Sequence, residues 1–164
     1  MDTDGGMSPP TRQPSRLSLS QEATTVTPTL PASCNEGGGV AINKDVWFKY
    51  TAACSGTVTA STCGSATFDT RIAVYSGTIC PSTTTVVSAC SDNAAGCASS
   101  TSKATWTAIA GSVWYVRVGS PGSTSGTGSL SLSCAVTCTA DVNGDLYVDG
   151  ADLGIVLGAW GSCP

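Results

Sequence analysis

Twelve residues near the C-terminus, DVNGDLYVDGAD at 141–152, carry oxygen atoms at the spacing a hard cation demands. Counted from Asp141, side-chain oxygens stand at positions one, three, five, nine and twelve: Asp141, Asn143, Asp145, Asp149 and Asp152. Tyr147, at position seven, offers its backbone carbonyl. Calcium takes roughly six to eight oxygens at about 2.3–2.6 Å, and alternate residues of a curling loop aim inward to supply them. The carboxylate at position twelve closes the shell from the first turn of a following helix. ADLGIVLGAWG provides that helix, because Leu153, Val156, Leu157 and Trp160 recur at helical spacing and Gly161 is a natural stop.

The charge distribution isolates this segment. Residues 1–117 hold seven basic and seven acidic side chains, and no Lys or Arg follows Arg117. The net charge of −4 is therefore the four aspartates of the terminal loop. Carboxylates so close repel one another unless a cation or open water relieves them. No basic cluster exists to meet nucleic acid, and no apolar run is long enough to span a membrane.

The elements that must position such a site are β. DVWFKYTA from Asp45 alternates with Val46, Phe48 and Tyr50 on one face. Ser55-Gly56 signals a tight turn into GTVTAST as the return strand. DTRIAVYSG turns Ile72 and Val74 inward, and TTTVVSA reads as a fourth strand. KATWTAIA and SVWYVRVGS flank Gly111-Ser112, and GTGSLSLSC alternates Leu130 and Leu132 with serines. Seven short strands without intervening helices predict a mainly β fold: an antiparallel, jelly-roll-like β-sandwich with a short C-terminal calcium loop and helix. Trp47, Trp106 and Trp114 read as core or rim aromatics, with a sugar-stacking platform as the alternative. The expected organisation is a disordered Pro/Ser/Thr-rich leader at 1–33, the β-domain at 34–134 and the calcium segment at 138–164.

Nine cysteines and no histidine argue for disulfides in an oxidising compartment rather than for zinc. The odd count leaves at least one thiol unpaired or intermolecular. If successive strands alternate in direction, Cys34, Cys63, Cys90 and Cys97 fall at one end of the sandwich and Cys54, Cys80 and Cys134 at the other. Cys54 and Cys63 bracket one strand, which at roughly 3.3 Å per residue places them beyond the ~7 Å limit of a bridge. Cys90 and Cys97 could close the loop SDNAAG, and Cys138 with Cys163 could staple the terminal segment. MDTDGGMSPPTRQPSRLS begins acidic and lacks an apolar core, so no signal peptide is visible; the cysteines carry the expectation of a secreted or cell-surface protein.

DVNGDLYVDGADLGIVLGAW resembles one calcium repeat of a type I dockerin, an EF-hand-like loop closed by Asp rather than Glu and lacking the entering helix. The resemblance implies calcium as cofactor and a cohesin-like protein as partner. Two departures stand out: one repeat instead of two, and Leu146 at position six, where the family has glycine. FDTRIAVYSG followed by ACSDNAAGC resembles the core of CUB-like and pre-peptidase C-terminal β-sandwich domains. That likeness implies a second metal site at Asp69, Asp92 and Asn93; the alternative is an ordinary Asx-rich turn. No Ser or Cys has a recognisable base, and Glu22 and Glu36 lie in the leader and its exit, so an enzyme is not expected. The reading is a secreted, non-catalytic binding or attachment module, with a cohesin-like protein or an extracellular polysaccharide as partner. The alternative is an ancillary C-terminal fragment of a larger secreted hydrolase.

Overall fold

Apolar side chains on every second residue, as in Val46, Phe48 and Tyr50, are buried together only if the chain extends and pairs. The computed structural model describes residues 17–18, 28–35, 39–136 and 148–158. Among these, the strands are β1 Leu17–Ser18, β2 Asn43–Thr51, β3 Gly56–Ser61, β4 Arg71–Ser76, β5 Ala89–Asp92, β6 Lys103–Ala108, β7 Val113–Ser120 and β8 Ser129–Val136, followed by one helix, α1 Gly150–Gly158. Two antiparallel sheets form, in the orders β1-β8-β3-β6 and β2-β7-β4-β5. Strands one to four thus pair with eight to five in turn, as when a long hairpin is rolled up, and this is the jelly-roll order.

The two sheets share one core. Val58, Ala60, Ala104, Trp106 and Leu130 from the first sheet meet Ile72, Val74, Val116 and Val118 from the second. Val46, Phe48 and Tyr50 pack against this cluster, as the alternation requires. Trp106 takes Tyr50 edge-on at 6.3 Å between ring centroids and Trp114 at 5.6 Å. Ser55-Gly56 and Gly111-Ser112 do not make hairpins. Each carries the chain from one sheet to the other, since β2 pairs with β7 while β3 pairs with β6 and β8.

The fourth strand lies later than TTTVVSA suggested. β5 begins at Ala89, with Cys90 opposite Ala73. Upstream, Ser82 and Thr85 bind each other's backbone in a turn, Thr85 N donating to Ser82 O at 3.0 Å and Ser82 N to Thr85 Oγ1 at 2.8 Å. Local hydroxyl bonding of this kind competes with strand pairing and wins here. Two stretches within the span expected as a leader belong to the described residues. The β1 backbone pairs with β8, Leu17 opposite Leu130. Pro28 and Leu30 are buried.

Residues 28–35 and 39–42 form a strap over the outer face of the second sheet. Leu30, Cys34 and Ile42 pack with Ala73 and Tyr75, and Val40, Trp47, Cys90 and Tyr115 complete this second cluster. Gly119 permits the approach: a Cβ there would stand 2.6 Å from both Asn43 O and the Ile42 side chain. Two buried arginines fasten the strap. Arg117 Nε pairs with Asp45, Nη1 donates to Pro28 O at 3.2 Å and Nη2 to Ile42 O at 2.8 Å. Arg71 pairs with Asp92 and donates to Ala41 O at 2.8 Å.

The disulfides respect the two ends inferred from strand direction. Cys34–Cys90 and Cys63–Cys97 lie at one end, with Cα separations of 5.7 and 4.9 Å, and Cys54–Cys134 at the other, at 6.0 Å. A Cys90–Cys97 bridge does not form. Cys90 faces the strap from the outer side of β5, whereas Cys97 lies in the following loop, beside the end of β3 that carries Cys63. Cys80 is a free, exposed thiol. Cys138 and Cys163 lie outside the described residues.

Removing Arg117 leaves Asp45 buried without its counter-charge and deprives two strap carbonyls of donors. Arg117→Met is therefore expected to cost about 3–5 kcal/mol in urea unfolding. A loss below about 1 kcal/mol would mean that the apolar contacts alone hold the strap.

Candidate calcium sites

Of the terminal loop, Asp149 and Asp152 belong to the described residues; Asp141, Asn143, Asp145 and Tyr147 lie outside them. Asp149 stands at the start of α1, and its Oδ1 accepts a hydrogen bond from Ala151 N at 2.7 Å. Asp152, one turn in, accepts from Asp149 N through Oδ2 at 2.9 Å. Asp152 thus takes the half of a capping box that reaches back to the first N–H, while Asp149 caps Ala151, and both carboxylates lie against the positive end of the helix. Asp152 is 3% exposed, while the other described residues of α1 are exposed. Asp149 and Asp152 are thus hydrogen-bonded through one backbone turn at the helix start.

The second constellation sits at the end of the sandwich that carries Cys63–Cys97. Beneath it Thr62, Thr70 and Ser102, all fully buried, form a hydroxyl knot. Thr62 Oγ1 and Thr70 Oγ1 are 2.6 Å apart, and Ser102 N donates to both at 3.1 Å. The knot ties the approach to β4 against β6 and so fixes Asp69, the residue before Thr70. Asp92, the last residue of β5, lies close enough that its charge acts on Asp69. Burial is the main cause that raises the Asp69 carboxyl above the ordinary aspartate range; the Asp92 charge adds to it, and Arg71 opposes. Asp69 Oδ1 is buried without a hydrogen-bond partner.

The structure brings Asp69 and Asp92 to one place but engages Asp92 with Arg71 in an ion pair that neither side chain exposes. Asn93 is exposed, in the left-handed region at φ 57°. Among the described residues, no group of three or more His, Cys, Asp or Glu side chains is placed to hold a metal ion. The Arg71 partnership is what sequence reasoning missed. Its signal was an arginine opening an apolar strand, RIAVYS, in register with the face that the strap covers. Among the described residues, no helix is long and apolar enough to cross a membrane, which says nothing of membrane-spanning strands.

No family model, curated protein or solved structure matches the chain.

The Asp69 shift separates the two readings of this cluster. A carboxyl whose folded pKa is raised contributes stability below its unfolded pKa and loses it as pH rises through the folded value. Without metal, Asp69 should titrate above the ordinary aspartate range by carboxyl NMR, and Asp69→Asn should remove that loss of stability. If calcium binds here, its charge holds the carboxylate ionised and millimolar calcium should pull the midpoint down. An unchanged midpoint identifies the cluster as an Asx-rich turn.

Proposed function

We propose that the chain is a non-catalytic attachment module of the extracellular space or cell surface, and that its C-terminal segment binds calcium and docks, dockerin-like, to a protein partner. The observation that carries the reading is Asp152. A buried carboxylate is costly to keep ionised unless its charge and lone pairs are met. This one closes a loop in which Asp141, Asn143, Asp145 and Asp149 precede it in calcium register. Asp149 and Asp152, hydrogen-bonded through one backbone turn, support positions nine and twelve of that register. Calcium would supply the charge that lets four neighbouring aspartates share a loop.

The extracellular placement is supported by three disulfides among the described residues, since such bridges persist where the surroundings oxidise. The docking role is supported by α1, which presents Leu153, Ile155, Val156 and Leu157 to solvent. Apolar side chains grouped in this way mark interaction surfaces more often than isolated ones do. The partner proposed is a cohesin-like protein. An extracellular polysaccharide is less well served by a helix without exposed polar groups than by an aromatic face, and Trp47, Trp106 and Trp114 are engaged in packing.

Calorimetric titration of the whole chain should find one strong calcium site. Asp152→Ala removes ligand oxygens and one charge and should weaken that site at least about a hundredfold, equivalent to roughly 3 kcal/mol. A chelator should melt α1, which is too short to persist alone. The sandwich, with its own core and three disulfides, should keep its thermal midpoint. Native affinity in Asp152→Ala would show that the twelve-residue register is wrong and would remove the dockerin reading with it.

A further inference from the structure

A strand with a neighbour on one side only leaves backbone groups open on the other, and such an edge is a ready template for another chain unless it is blunted. Three of the four outer strands are short or blunted. β1 has two residues and β5 four, and Ser91 of β5 already bonds β6. β2 carries a register shift between Asn43 and Val46, with Lys44 there at φ 50° and Lys49 exposed further along. A bulge and lysines are common means of closing an edge. β8 continues past β1, and both strands run in sequence into chain outside the described residues. β6 is different. Lys103–Ala108 pairs with β3 in unbroken register, contains no proline, and has its one charge at its first residue.

The hydrogen bonds show which backbone groups of β6 are open. Thr62 N donates to Ser102 O at 2.9 Å, so the even-numbered residues face β3. Lys103 N turns the other way and donates to Ser91 Oγ at 3.2 Å. Backbone groups alternate in direction along a strand, so the N–H and C=O of Thr105 and Thr107 point away from β3. Both residues are exposed, and among the described residues nothing bonds their backbone on that side. Their side chains lie on the outer face beside Thr59 and Thr57, and Lys103 is the single charge among the outward residues of β8, β3 and β6. Ile109, just past the strand, is 74% exposed.

We propose that β6 is a self-pairing edge: two copies of the chain join antiparallel through it and run their first sheets into one. The open groups select the register. Thr105 faces Thr107 of the second copy and Thr107 faces its Thr105, and each pair exchanges two backbone hydrogen bonds across a two-fold axis. A register shifted one way calls on Lys103 N, which Ser91 already holds, and one shifted the other way calls on Ile109, beyond the strand. In the selected register Lys103 falls opposite the second copy's Ile109, where its methylene stem covers that exposed side chain. The two lysines then stand about 20 Å apart, roughly twice the screening length in physiological salt, so the seam brings no like charges together. A paired molecule carries two C-terminal segments, which multiplies attachment without a new contact. That consequence rests on the attachment reading; the pairing itself does not.

The test uses the whole chain with exposed thiols alkylated, so that mass reports pairing and not an intermolecular bridge through Cys80. Sedimentation equilibrium from micromolar to submillimolar concentration should show the mass doubling. Over the same range the Thr105 and Thr107 amides should slow in hydrogen exchange by about tenfold or more, while those of Ala104 and Trp106, already bonded to β3, change little. Thr105→Pro deletes one open N–H at a position where an edge strand tolerates proline. It should abolish the doubling and keep the near-ultraviolet dichroism of the fold. Thr107→Lys places a charge in the seam and should do the same without altering the backbone. Ser133→Lys lies on the same outer face but on β8, with β3 between it and β6, and should pair like the wild type. A single mass at every concentration overturns the proposal and leaves the edge to an extended segment of another protein. It is overturned too if Thr105→Pro and Thr107→Lys still double, or if Ser133→Lys alone prevents doubling, which would mean that the hydroxyl faces stack. Absent heat in the calcium titration would remove the attachment reading and leave the doubling untouched.

Discussion

The guanidinium of Arg117 is the interaction on which this architecture turns. It sits 2% exposed on the outer face of β7, where a charge has no water to rely on. Each of its three nitrogens finds an oxygen: Asp45 within the same sheet, and the carbonyls of Pro28 and Ile42 at the two ends of the strap. Its carbon centre lies 5.6 Å from the Trp47 ring, which in turn stacks at a tilt on Tyr75. A buried pair of this kind gains little over apolar packing, because desolvation offsets most of the attraction. Its effect is on register. The planar fork donates to two carbonyls only where the strap lies at one height, and shifting the strap would strand a charge. Burial also pushes the Tyr75 hydroxyl up, with Arg117 opposing, so the ring sits neutral under the strap.

Arg71 repeats the device one strand away and extends it to the candidate metal cluster. Its guanidinium joins Asp92 to the strap carbonyl of Ala41. The carboxylate that the CUB-like resemblance would give to calcium is therefore also a structural element. That dual claim has a physical meaning. A cation at Asp69 and Asp92 would stand near a buried guanidinium and be repelled by it, unless the carboxylates outweigh that charge at close range. The loss of Asp92 would act on the strap, on Cys34–Cys90 beside it, and on Asp69. Phenotypes at this position cannot be read as metal loss alone.

Much of the fold was legible in the sequence because period-two alternation is a direct image of a two-layer sandwich. Val46, Phe48 and Tyr50, Ile72 and Val74, and Leu130 all face the core as their spacing implies. Strand direction even sorted the cysteines by end. What was not legible depended on partners distant in sequence. Nothing local says that Ser55-Gly56 carries the chain across to the other sheet, since a hairpin turn and a crossing use the same residues. TTTVVSA has high strand propensity, yet hydroxyl bonding between Ser82 and Thr85 holds a turn there. Residues 28–33 lack periodicity because a strap follows the shape of the sheet beneath it, not a repeat of its own. Arg71 and Arg117 gave the one usable hint. An arginine within an apolar strand, on the face opposite the core, requires a carboxylate and a cover.

The division between the two ends of the sandwich bears on how a single calcium repeat could work. An isolated helix of this length with Gly154 and Gly158 has too few internal contacts to stay folded in water. It must be ordered by something outside itself. On the proposed reading, calcium would fix only the first turn, through Asp149 and Asp152, and would leave Leu157 beyond its reach. The rest of its apolar face, Leu153, Ile155, Val156 and Leu157, is exposed, and the proposed protein partner would cover it. The two ends of the sandwich differ in chemistry: the strap's ion pairs and the Asp69 cluster lie toward one, and the connections 52–55, 77–88 and 109–112, which contain no Asp, Glu, Lys or Arg, lie at the other.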